Sequence, residues 1–119
     1  MNQYLKNSES LYSIEFYNET ARQELLALPL KIRAKAFAIL DQMKDVGPNL
    51  GMPYTRALDN GLFEIRAMGV EGIGRVFFCT LIGRKIILLR AFVKKTQKTP
   101  KKELELAYSR LKEVKNETP

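Results

Sequence analysis

Leu11-Tyr-Ser-Ile-Glu-Phe-Tyr17 alternates and carries residues that favour extended backbone, which predicts a first strand. Asn18 or Thr20 then offers a cap for a helix running through Arg22 and Leu25 to about Leu28. Pro29 breaks that helix and suits the first turn of the next one. Ile32, Ala36, Ile39, Leu40 and Met43 recur at helical spacing as one apolar stripe, and Gly47-Pro48 ends it. Asn49 to Asn60 reads as a loop. Three strands follow at close spacing, Leu62 to Ala67, Ile73 to Leu81 and Lys85 to Val93. Thr99-Pro100 marks the start of a last helix, with Leu104, Ala107, Tyr108, Leu111 and Val114 along one face.

This order predicts an α+β domain in which a helical hairpin and a C-terminal helix pack on a small, mostly antiparallel sheet. The expected boundaries are a flexible segment over residues 1–10, one domain over 11–114 and a flexible tail over 115–119. Strand alternation extends the reading to faces. If Phe63 and Ile65 lie under the helices, Glu64 and Arg66 share the other face. If Val76 and Phe78 are core, Arg75 joins them. In the third strand Ile87, Leu89 and Ala91 are expected in the core, with Leu88, Arg90 and Phe92 opposite. The result is one carboxylate, three arginines and an aromatic ring on a partly open face, with Lys94 and Lys95 at its rim. An ion-pair ladder on a solvated face accounts for Glu64 and Arg66 equally well.

Charge sharpens the picture. Twenty Lys and Arg stand against 13 Asp and Glu, a formal charge of +7. Eight basic residues and no acidic one fall between Arg84 and Lys102. Such a field suits a polyanion, because neutralising phosphates releases their counterions; a basic face kept for solubility is the plainer reading. Absences narrow the chemistry. With no histidine, no His-based acid–base pair or Ser-His-Asp triad exists. A single cysteine, Cys79, rules out an ordinary structural zinc site and reads as a small core residue. No metal or cofactor is expected. No apolar run approaches the roughly 20 residues of a membrane span, and Met1 to Ser10 lacks the apolar stretch of a secretory signal. A cytoplasmic location is therefore expected.

Three segments carry a resemblance: Gly61-Leu-Phe-Glu-Ile-Arg66, Gly74-Arg-Val-Phe-Phe78, and Ile87-Leu-Leu-Arg-Ala-Phe-Val-Lys-Lys-Thr-Gln-Lys-Thr-Pro100. In that order, and across Tyr12 to Leu111, they resemble the phage-related HigB branch of the RelE/ParE toxin superfamily. The resemblance implies a microbial-RNase-like fold and a toxin that cuts messenger RNA on the ribosome, silenced by an antitoxin, commonly a helix-turn-helix HigA-like DNA binder. It implies attack by a ribose 2′-hydroxyl on the adjacent phosphorus with no metal. Mapped onto this chain, Glu64 is the carboxylate base, Arg75 holds the scissile phosphate, and Lys95 stabilises the phosphorane. Arg66, Arg90, Phe92, Lys94 and Lys98 are the RNA-binding candidates. Several relatives place His or Tyr at the end of the last strand; Arg90-Ala91-Phe92 stands there here, which leaves the general acid unassigned. Two other readings share the fold: a ParE-like toxin that inhibits DNA gyrase by protein contact, and a phage-derived RNA- or protein-binding module without catalysis.

Overall fold

The computed structural model describes residues 10–94 and 98–117. Strand β1 (Ser13–Phe16) leads into helices α1 (Glu19–Leu26) and α2 (Leu30–Val46). Strand β2 (Thr55–Ala57) and a single 3-10 turn precede β3 (Phe63–Gly69), β4 (Gly72–Leu81) and β5 (Lys85–Lys94), and helix α3 (Lys101–Glu117) follows. The strands form one sheet in the order β1-β5-β4-β3-β2, parallel only between β1 and β5. The α+β architecture expected from the sequence is the one observed.

Local chemistry sets the helix ends. Asn18 caps α1, its side-chain oxygen accepting from the Ala21 amide at 2.8 Å. Pro29 stands at the N-cap of α2, and Gly47, with φ of 99°, ends that helix in a conformation that favours glycine. The predicted stripe of α2 is buried throughout and meets Leu25, Ile65, Ala67, Val76, Phe78, Ile86 and Leu88 in the main core. Each large apolar side chain sealed there contributes about 1.5–3 kcal/mol. The approach of α2 to the β3–β4 hairpin is close: a methyl group on Gly74 would lie 2.4 Å from Ile32 Cγ2.

The opposite face carries a second core, in which Leu62, Phe77, Cys79, Ile87, Leu89 and Phe92 pack against Ala107 and Leu111 of α3. This corrects the expected faces of β5. Ile87 and Leu89 lie on the α3 side, and Leu88 lies under the helical hairpin. The cause is a β-bulge: Phe77 pairs with Arg90 but Phe78 pairs with Leu88, so Leu89 is an extra residue and alternation changes phase there. Ala91, Arg90 and Phe92, beyond the bulge, keep the expected faces. The loop expected over residues 49–60 contains β2. At the C-terminus, where a flexible tail is expected from residue 115, α3 continues to Glu117. Lys115 there donates to the Thr80 carbonyl at 3.2 Å.

Candidate functional site

Helix α3 covers only part of its sheet face. On the remainder, cross-strand register sets charged residues in rows. Arg56, Glu64, Phe77 and Arg90 are successive partners across β2, β3, β4 and β5. Arg66, Arg75 and Phe92 form the next row, and Met68, Ile73 and Lys94 the one after. Two residues along a strand span about 7 Å, so the three rows occupy a compact patch. Glu64, Arg75 and Lys94 are buried, at 0%, 3% and 5% exposure.

Glu64 sits at the centre. Its Oε2 accepts from Arg75 Nη1 at 3.0 Å and also from Arg56 Nε. Its Oε1 and Arg75 Nε are buried and have no hydrogen-bond partner among the described residues. Such orphaned groups cost free energy unless a ligand completes them. Burial lowers the Arg75 guanidinium from its ordinary pKa against the pull of Glu64, with Arg66 and Arg56 adding to the lowering. Burial also lowers the Lys94 ammonium, followed by repulsion from Arg75; Glu64 opposes this, and Arg56 and Arg66 reinforce it. Four cations thus surround one carboxylate.

The site arises from short-range features of the chain. Thr55 Oγ1 accepts from the Gly51 amide at 2.9 Å, the Gly51 carbonyl accepts from the Tyr54 and Thr55 amides, and the Tyr54 carbonyl accepts from the Arg66 amide at 2.8 Å. Lys35 of α2 rests over the Tyr54 ring. These contacts fix β2 at the sheet edge and set Arg56 opposite Glu64. Sequence reasoning missed Arg56 because Gly51 and Pro53 signalled a loop. The run Tyr54-Thr-Arg-Ala57, with two β-favouring residues, was the available signal.

The other anticipated residues divide. Arg66, half-buried, lies beside Arg75 in the patch. Arg90 points into an ion-pair network: it bonds Glu103 through Nε at 2.8 Å and Nη2 at 3.1 Å, and its Nη1 lies 3.2 Å from Glu24 Oε2. The Glu103 hydrogen bonds raise its pKa above the ordinary arginine value. Phe92 is buried in the α3-side core against Phe77 and under the Arg90 guanidinium. Lys98 is exposed near the start of α3, and Lys95 lies outside the described residues. No group of three or more potential metal ligands exists among the described residues, nor any helix long and apolar enough to cross a membrane. The patch is suited to hold anionic oxygens, with one carboxylate oxygen left to accept a proton.

A chain of the RelBE2 toxin–antitoxin complex from Mycobacterium tuberculosis has a similar fold, with a TM-score of 0.51 and 20% identity over 74% of this chain and 97% of that one. No curated protein gives a significant match. The family model described as phage-derived protein Gp49-like (DUF891) matches residues 23–112, from α1 through most of α3. By that match, the chain belongs to the phage-derived Gp49-like family.

Proposed function

We propose that the chain is the toxin of a toxin–antitoxin pair and a metal-independent endoribonuclease that cuts messenger RNA on the ribosome, in the manner of the HigB branch it resembles. The observation that carries this reading is the state of Glu64: one oxygen held by two guanidiniums, the other buried and without a hydrogen-bond partner among the described residues. A 2′-hydroxyl placed at Oε1 gives its proton to that oxygen while its own oxygen attacks the adjacent phosphorus. Arg75, whose Nε has no hydrogen-bond partner among the described residues, takes a phosphate oxygen and stabilises the charge that builds on the phosphorane. Arginine is too basic to accept protons at neutral pH, so the arginines act by charge alone. The bond from phosphorus to the 5′-oxygen breaks, and the leaving oxygen takes a proton from the Lys94 ammonium, whose lowered pKa makes it a better acid. The products are a 2′,3′-cyclic phosphate and a 5′-hydroxyl end. Lys95 is assigned the phosphorane together with Lys94, and Arg66 a neighbouring phosphate.

In this reading the partners are the ribosome with its message, in the cytoplasm, and a neutralising antitoxin of the helix-turn-helix HigA-like type. The test is to induce the chain without antitoxin in a bacterial host and map new 5′-hydroxyl ends on translated and untranslated copies of one message. Cuts confined to translated copies, and lost in Glu64→Ala and Arg75→Ala proteins that still fold, are expected. Growth arrest without new ends discards the nuclease and points to a ParE-like action on gyrase. Equal cutting by all three proteins removes Glu64 and Arg75 from the chemistry.

A further inference from the structure

We propose that Arg56 is the substrate-facing arm of the site: its Nε holds Glu64 in place while its terminal nitrogens bind an RNA phosphate next to the scissile one. This rests on the RNA-cleaving reading above and extends it to a residue outside the sequence-derived site.

Three observations carry it. The first is geometric. Arg56 is the cross-strand partner of Glu64 and bonds its carboxylate through Nε. A guanidinium has five N–H donors in a planar fork, so bonding Glu64 through Nε does not use the four on the terminal nitrogens. The second is exposure. Glu64 and Arg75 are 0% and 3% exposed at the side chain, whereas Arg56 is 44% exposed. Of the two guanidiniums on Glu64, Arg56 is therefore the one that meets solvent, and it stands at the sheet edge where a strand of RNA would enter.

The third is charge. Arg75 alone neutralises Glu64 in the buried pair. Arg56, Arg66 and Lys94 then leave the cluster with a surplus of three positive charges, and repulsion within it is felt at Lys94. A purely structural pair needs no such surplus. One phosphodiester supplies a single negative charge, so the surplus matches a run of successive phosphates better than an isolated anion. With Arg75 on the scissile phosphate, Arg56 on the β2 side and Arg66 beside Arg75 are placed for its neighbours. Glu64 is then both base and aligner, since its Oε2 sets the angle between two guanidiniums.

The experiment measures binding of the purified chain to a single-stranded oligonucleotide with 2′-fluoro riboses, which keeps every phosphate and removes the nucleophile. Affinity is followed against KCl concentration for wild type, Arg56→Gln and Arg56→Lys. Gln retains a donor for Glu64 without the charge, and Lys retains the charge. On the proposal Arg56→Gln flattens the slope of log affinity on log salt by about 0.7, with an unchanged melting temperature, and Arg56→Lys keeps the wild-type slope. An unchanged slope in Arg56→Gln overturns the Arg56 assignment while wild-type binding still supports RNA as ligand. No salt-sensitive binding by wild type removes the RNA reading and the Arg56 assignment with it.

Discussion

Lys94 shows at the scale of one residue how the site works against the fold. A lysine that is 5% exposed and faces three arginines has its ammonium disfavoured in the native state, chiefly by burial and next by Arg75. Its folded pKa therefore lies below its unfolded value, and the native state binds fewer protons than the unfolded one where the two differ. The penalty is complete below the folded pKa and is relieved as pH rises through it toward the free-lysine value of about 10.4. Lys94→Met removes the charge and keeps most of the side-chain volume. We expect this variant to be more stable than wild type at neutral pH, with the advantage shrinking as pH climbs into the alkaline range. If the proposed nuclease function holds, it should also lose RNA cleavage, a trade of activity for stability. Urea unfolding at several pH values measures it; a variant less stable than wild type at neutral pH would remove the argument.

At the scale of elements, the bulge in β5 decides how α3 docks. Leu89 has no partner in the β4 ladder, and its carbonyl accepts from Arg110 Nη1 of α3 at 2.6 Å. Arg110 also makes a two-pronged bond to Glu24 of α1, at 3.0 and 3.2 Å, and lies over the Tyr17 ring. The Tyr17 hydroxyl in turn donates to Glu113, and the Tyr108 hydroxyl to the Asp59 carbonyl at 2.8 Å. One guanidinium thus joins three elements, with its side chain 12% exposed and that of Glu24 15%. Arg110→Met leaves a backbone carbonyl and a carboxylate short of partners, so a loss of roughly 1–3 kcal/mol is expected. It should appear as a lower urea midpoint at constant m value; a loss under about 0.5 kcal/mol would make the network incidental. The bulge also marks where sequence reading stops. Periodicity placed the five buried positions of α2 and the faces of Glu64, Arg66 and Arg75, because burial on one side enforces strict alternation. No residue type announced an extra residue at Leu89, so Ile87, Leu88 and Leu89 came out inverted. Nor did the pattern show that Arg90 meets Glu24 and Glu103, since such pairs depend on where whole helices land. Glu64 and Arg75 were legible as neighbours but not as buried, and their burial is what takes Oε1 and Nε out of water with no partner among the described residues.

Over the whole molecule, the formal charge of +7 is divided by the fold into two unlike regions. Lys101 and Lys102, from the basic run beginning at Arg84, stand exposed at the start of α3. Arg75, Lys94 and Arg66 are gathered with Arg56 around Glu64, where mutual repulsion is least relieved by water. Dissolved salt relieves it poorly, because the Debye length near physiological ionic strength is about 8 Å, longer than the spacing between neighbouring charges in contact. A polyanion that reaches into the cluster relieves it directly, and it stabilises the native state by mass action, by about 2.7 kcal/mol at a hundredfold excess over Kd. The uncleavable 2′-fluoro oligonucleotide should therefore raise the melting temperature well beyond KCl of the same ionic strength. The increment, taken from each protein's own ligand-free melt, should largely vanish in Arg75→Ala and survive in a Lys101→Ala/Lys102→Ala double variant. If both variants lose the same part of the shift, the ligand is responding to net charge spread over the surface, and the Glu64 cluster has no special claim on RNA. If only Arg75→Ala loses it, the exposed lysines at the start of α3 contribute mainly to approach, and the buried cluster, which takes Lys94 from the same basic run, to grip.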